Sequence, residues 1–240
     1  MNELQNLDAF KATLESYKPS KKSVRLLRKS RLALLVGPSS AGRNTIIKEL
    51  VSSGSFVQIV SATTRKPRSN NGVEETDGIE YHFLTEEDFL AGLQKGEYIE
   101  AAIIHQQQVS GVQTSELEKA KKQDKFCVNE VQVDGAEKYK NLDDGVQLFF
   151  VIPPNFDEWI RRLTNRGRMD SEEMKRRLQS AEVELQHALD TDFYTYIIND
   201  KYQVAATEIL SVMQGHAIDQ EDHKERAWQL LNDLKAHLTS

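Results

Sequence analysis

Residues 37 to 45 read Gly-Pro-Ser-Ser-Ala-Gly-Arg-Asn-Thr, the spacing of a phosphate-binding loop, G-x-x-x-x-G-K-[ST], with two positions changed. Arg43 stands where that pattern has Lys, and Asn44 where it has Ser or Thr. An apolar run, Leu32 to Val36, precedes the loop, and a helical pattern, Ile46, Ile47, Leu50 and Val51, follows it. Strand, Gly-containing turn and helix in that order aim backbone N–H groups and a helix N-terminus at phosphate oxygens. The candidate nucleotide contacts are Gly37, Ser39, Ser40, Ala41, Gly42, Arg43, Asn44 and Thr45. Arg43 keeps the positive charge, but its long planar head does not reproduce a compact ammonium wrapped by the loop. Asn44 lacks the hydroxyl that usually ligates Mg2+, although its amide oxygen can serve a hard cation. Loss of one preorganised donor in such a site costs ~10²–10³ in rate. The loop alone therefore admits a slow phosphotransferase or an inactive one.

Two further clusters suit anions. Ser61-Ala-Thr-Thr-Arg-Lys-Pro-Arg68 follows the second apolar run. Arg65 and Arg68 there offer two guanidinium forks, each able to bond two oxygens of a phosphate monoester. The segment RRLTNRGRMDSEEMKRRL gathers arginines around Gly167. Phosphoryl transfer spreads negative charge over equatorial oxygens, so positioned arginines are its main catalytic means. The plainer reading is a solvated basic face paired with Glu172, Glu173 and Glu182.

The elements that must position these residues alternate. Strand-like runs cover residues 32–36, 56–60, 126–131, 147–152 and 194–198, with helical patterns between them. Thr85 opens a capping box and Gly96 is placed to stop its helix. Asn155 can cap a helix over 156–163, and Asp170 or Ser171 a long one to about Leu189. Such alternation predicts an α/β fold with a mostly parallel sheet and helices on both faces. Residues 1–30 read as a polar, basic helical extension leading into the first strand. Residues 215–240 read as a C-terminal helical extension with Trp228, Leu231, Leu234 and Leu238 along one stripe against the chain's own core.

The composition narrows the classes. A net charge of −6 over 240 residues argues against nucleic acid as partner, which would need a dominant basic surface. The single cysteine, Cys127, excludes an internal disulfide and a multi-cysteine zinc site. No apolar run approaches the ~18 residues that span a bilayer, and no signal-peptide pattern opens the chain. A reducing cytoplasmic setting is the simplest expectation; the oligomeric state is left open.

From about residue 32 to residue 209 the chain resembles the guanylate kinase family. SATTRKPR, followed by DGIEYHFLTEEDF, is its most specific segment. The resemblance implies a P-loop domain over 31–214, with a three-layer parallel-sheet core. It also implies a nucleoside-monophosphate-binding subdomain at about 62–113 and a helical lid at about 161–180. It assigns the GMP phosphate to Arg65, Arg68 and Tyr81, with Ser61 near the guanine and Glu100 reading it. A carboxylate accepts the N1–H and N2–H of guanine and has no partner for the bare N1 of adenine, and such sites discriminate by ~10⁴ or more. Glu130 matches the first acid of an acid-x-Asp run and supports Mg2+ or the base, while Gln132 departs from the second. Val109 stands where the family has a tyrosine, and Ser110 can recover one hydrogen bond. Arg162, Arg166 and Arg177 fall at the spacing of the lid arginines, and Asn199 near the ATP adenine, although Lys201 replaces a family aspartate. The implied reaction moves the γ-phosphoryl of ATP·Mg2+ to GMP or dGMP. The alternative is a guanylate kinase-like module that binds a nucleotide or phosphorylated partner without turnover. Retention of three lid arginines favours the enzyme.

Overall fold

The computed structural model describes residues 4–70, 73–104, 106–165 and 170–239. Along the chain run α1 (Leu7–Glu15), α2 (Lys21–Leu27), β1 (Leu32–Val36), α3 (Arg43–Ser52), β2 (Phe56–Gln58), β3 (Ala62–Thr63), β4 (Ser69–Asn70), β5 (Val73–Glu74) and β6 (His82–Phe83). There follow α4 (Glu86–Gln94), β7 (Tyr98–Ile104), β8 (Gln108–Gln113), α5 (Thr114–Lys122), β9 (Phe126–Glu130), α6 (Val133–Leu142) and β10 (Gln147–Ile152). The last elements are α7 (Phe156–Thr164), α8 (Ser171–Asp190), β11 (Tyr194–Ile198), α9 (Tyr202–Met213) and α10 (Glu221–Thr239).

The chain forms two compact units. One joins residues 32–56, 128–137 and 146–240; the other joins residues 1–31, 57–127 and 138–145. The central sheet has the order β11-β10-β1-β9-β2. β10 pairs in parallel with both β1 and β11. Every residue of β1 is buried, as expected of a parallel strand covered on both faces. The α/β fold with a parallel central sheet is thus as the alternation predicts. The caps also hold. Thr85, Asn155 and Asp170 each accept a backbone N–H three residues on, and Gly96 follows α4 at φ +67°.

The strand expected over 56–60 ends at Gln58. The Val60 N–H turns instead to the carboxylate of Glu116, 3.0 Å away. In α10 the buried face is Ala227, Leu230, Leu231 and Leu234, lying on α8 and β11. Trp228 is 41% exposed, so it does not belong to the stripe assigned to it. Trp228 follows Ala227 by one position, about 100° of helix rotation, which carries it off the buried face.

The second unit holds a four-stranded sheet, β6-β3-β8-β7, and the hairpin β4-β5. The N-terminal segment is part of its core, which its polar composition conceals. Leu4 and Phe10 are buried with Phe89, Leu93, Tyr98 and Val109. Phe10 meets Phe89 edge-on at 6.2 Å, and Phe89 stacks on Tyr98 at 4.3 Å. The Tyr17 hydroxyl donates to the Tyr98 carbonyl at 2.6 Å and accepts the Tyr98 N–H at 3.0 Å.

Candidate active site

The phosphate loop is built from close contacts within the first unit. Gly37 sits at φ +135°, and a Cβ there would lie 2.2 Å from the Val151 carbonyl. Gly42 is the residue before α3, at φ +96°, and its Cβ would lie 2.1 Å from Asn199 Nδ2. Both positions therefore require glycine, for conformation and for space. The loop is braced from three elements. Trp159 on α7 donates its indole N–H to the Ser39 carbonyl at 2.8 Å. Asn199, buried after β11, donates its amide to the Ala41 carbonyl at 2.7 Å. Arg177 on α8 donates to Ser39 Oγ at 3.3 Å. Ser40 adopts φ +65°, and its Oγ is buried with no hydrogen-bond partner among the described residues.

Ser40, Gly42, Thr45, Arg162, Asn199, Asp200 and Tyr202 line one cavity. Arg162 Nη1 donates to the Asn199 carbonyl at 2.9 Å, and its Nε is held by Glu158 at 2.7 Å. Arg177 Nε is held by Glu173 at 2.8 Å. Two of the three arginines expected in a lid, Arg162 and Arg177, thus stand at the loop and its cavity, each oriented by a carboxylate one helical turn earlier on its own helix. Arg166 lies outside the described residues. The Asn199 amide is spent on the loop backbone, although the residue still lines the cavity. Trp159 and Tyr202 carry no sequence signal for these places: each reads as one aromatic in a helical pattern.

Arg43 points elsewhere. Its Nε lies 3.6 Å from Glu130, and its Nη1 donates to the Val131 carbonyl at 3.4 Å. Burial pushes the Glu184 carboxyl up to about 7, and the nearby Arg43 charge opposes that rise. Asn44 and Thr45 are exposed in the first turn of α3. Glu130 is a partner of Arg43 in this arrangement.

The second unit gathers the other candidates. Arg65 lies with its guanidinium carbon 4.7 Å from the centre of the Tyr81 ring and 5.5 Å from that of Phe83. Glu75 pairs with Arg65 and also accepts the Arg68 N–H at 2.8 Å. The Arg65 bond holds the Glu75 carboxyl below its ordinary range. The Arg68 side chain is exposed. Ser61 lies just before β3 and accepts the His82 N–H on its carbonyl at 2.9 Å.

Glu100 lies on β7, just past a register shift between Tyr98 and Glu100 in the pairing with β8. An extra residue there re-aims the following side chain. Burial pushes the Glu100 carboxyl up to about 7, with Lys138 as the opposing charge, and Lys138 Nζ donates to the Ala101 carbonyl at 3.3 Å. Val109 is fully buried in the core beside Phe10. Strand alternation puts Gln108 and Ser110 on the opposite face of β8. Ser110 Oγ donates to Thr63 Oγ1 at 3.1 Å and accepts from Gln108 Nε2 at 3.3 Å. Lys138 and Gln108 went unread in the sequence, since both look like ordinary surface side chains there.

Residues 29–216 match the family model described as guanylate kinase. A guanylate kinase of Bifidobacterium longum is 36% identical over 188 residues, covering 76% of this chain and 93% of that protein. One from Nocardia farcinica is 37% identical over 193 residues, covering 77% and 94%. The crystal structure of guanylate kinase from Anaplasma phagocytophilum is similar at a TM-score of 0.56 and 26% identity, covering 77% of this chain and 84% of that one. Among the described residues no helix is long and apolar enough to cross a membrane. The family model and these relatives together show that the chain belongs to the guanylate kinase family.

Proposed function

We propose that this protein is an ATP:GMP phosphotransferase, converting GMP or dGMP to GDP or dGDP with ATP·Mg2+ as donor. The observation that carries the reading is the convergence of Arg162 and Arg177 on the phosphate loop and its cavity. A module that only binds a nucleotide has no use for two preoriented guanidinium groups there. In the reaction a phosphate oxygen of GMP attacks the γ-phosphorus of ATP, the bond to the β,γ-bridging oxygen breaks, and ADP leaves with that electron pair. The loop N–H groups hold the donor phosphates. Arg162, Arg166 and Arg177 bear the charge that spreads over the transferring oxygens. Mg2+ arrives with ATP, and the exposed Asn44 amide is a loop side chain able to offer it a hard oxygen.

On the acceptor side, Arg65, Arg68 and Tyr81 take the GMP phosphate. Glu100, with Ser61 and Ser110, reads the base, its carboxylate accepting from guanine N1–H and N2–H. The test is ADP formation from ATP·Mg2+ with GMP, dGMP, AMP, CMP or UMP as acceptor. Turnover confined to GMP and dGMP is the expected result. GMP binding without any turnover would establish a non-catalytic module instead.

A further inference from the structure

The N-terminal segment runs along β7, the edge strand of the four-stranded sheet. The Leu4 N–H donates to the Gln106 carbonyl, beyond the far end of the strand, at 3.4 Å. The Ser20 N–H donates to the Gly96 carbonyl, just before its start, at 3.0 Å, and Ser23 Oγ donates to the same carbonyl at 2.9 Å. Between these ties the Tyr17 hydroxyl takes both backbone groups of Tyr98, as a neighbouring strand would. An edge covered in this way is closed to other pairing. Residues 1–28 precede the matched segment, 29–216, so family membership assigns them nothing.

Tyr98 is also where β7 changes register. It pairs with Gln113, and Glu100 pairs with Val112, so β7 has one residue more than β8 over this step. The extra residue changes the face that Glu100 takes. Tyr98 and Ala101 are in the core with Val109, and Ile103 packs against them. Strict alternation from Tyr98 would send Glu100 to that core as well. The bulge puts it instead on the face of Ala102 and its partner Ser110. Burial is the main cause that pushes the Tyr17 hydroxyl up to about 12, and the Glu100 charge adds to it. The hydroxyl therefore keeps the proton that it donates. We propose that Tyr17 is a positioning residue for Glu100. Its hydroxyl pins the bulge at Tyr98, so that the Glu100 carboxylate meets guanine with both oxygens. This rests on the reading of Glu100 as the base-reading carboxylate.

Guanine offers that carboxylate N1–H and N2–H, whereas the base of inosine monophosphate (IMP) offers N1–H alone. The ratio of kcat/KM for GMP to that for IMP therefore reports how well Glu100 is aimed. A loss of stability by itself leaves that ratio unmoved. The experiment measures it for wild type, Tyr17→Phe, Phe10→Leu, Glu100→Gln and the double variant Tyr17→Phe/Glu100→Gln, with KM for ATP in each. Tyr17→Phe is expected to lower the ratio about tenfold, with KM for ATP within about twofold of wild type. The steady KM for ATP also certifies that the variant is folded. Phe10→Leu loosens the same core but keeps both bonds to Tyr98, so its ratio stays that of wild type. On the Glu100→Gln background Tyr17→Phe should have no further effect, since both act through one carboxylate. A wild-type ratio in Tyr17→Phe, or an equal fall in Phe10→Leu, would overturn the proposal. A wild-type ratio in Glu100→Gln would show instead that the base is read elsewhere, and the role of Tyr17 falls with that reading.

Discussion

Arg43 and Glu130 face each other across 3.6 Å, and that pairing holds the cation of the phosphate loop against the end of β9. A guanidinium is long and flat enough to reach Glu130 and the Val131 carbonyl together; an ammonium on a shorter stem is a point charge suited to the loop itself. Arg43→Lys is therefore expected to raise kcat, by as much as ~10², while leaving KM for GMP unchanged. Steady-state kinetics with ATP·Mg2+ decide it. A lower kcat would show that the loop has adapted to its guanidinium.

Arg177 ties α8 to Ser39 Oγ in the loop. Arg177→Ala should lower kcat by ~10²–10³ and leave KM for GMP within about twofold. An unaltered kcat would remove Arg177 from the reacting phosphates.

The Glu100 carboxyl sits at about 7 because burial disfavours its charge. Only the ionised form accepts both guanine N–H groups, so acid weakens GMP binding. Between pH 8 and pH 6 the affinity should fall by about tenfold from this group alone. The phosphate of GMP also titrates in that range, so Glu100→Gln is the control that isolates the carboxyl. The variant should lose this component of the pH dependence and discriminate less against AMP. Identical pH profiles and selectivity in both proteins would mean that the base is read elsewhere.

Tyr17 satisfies both backbone groups of Tyr98 with one hydroxyl. Burial pushes that hydroxyl up to about 12, so it remains a donor at neutral pH. Tyr17→Phe leaves a buried N–H and C=O unpaired, at a cost of about 1–3 kcal/mol. The urea midpoint of the whole protein reports it. An unshifted midpoint would show the N-terminal segment to be a loose appendage.

The sequence by itself determined the parts whose physics is local. β1, β10 and β11 are short, almost continuously apolar runs, and three helix starts carry side chains that cap their own backbone. The phosphate loop was legible because its glycines answer to conformation at φ +135° and +96°, a requirement visible in residue type alone. The arginines proposed for the lid and for the acceptor site stand out in the sequence only as spacing. Their partners do not. Glu75, Glu158 and Glu173 look like any surface glutamates until the fold sets each beside an arginine.

Only the tertiary structure decided which residues meet across long stretches of chain. Asn199 lies 158 residues from the carbonyl it braces, and Tyr17 lies 81 from the strand it completes. No local pattern encodes such contacts. The β7-β8 hairpin went unread as strands because glutamines interrupt its apolar runs. Long-range pairing rather than propensity makes it a sheet. The same pairing puts Val109 into the core and leaves Gln108 and Ser110 on the other face. One residue of register decides which side chains enter the core with Phe10 and Phe89 and which stay on the other face.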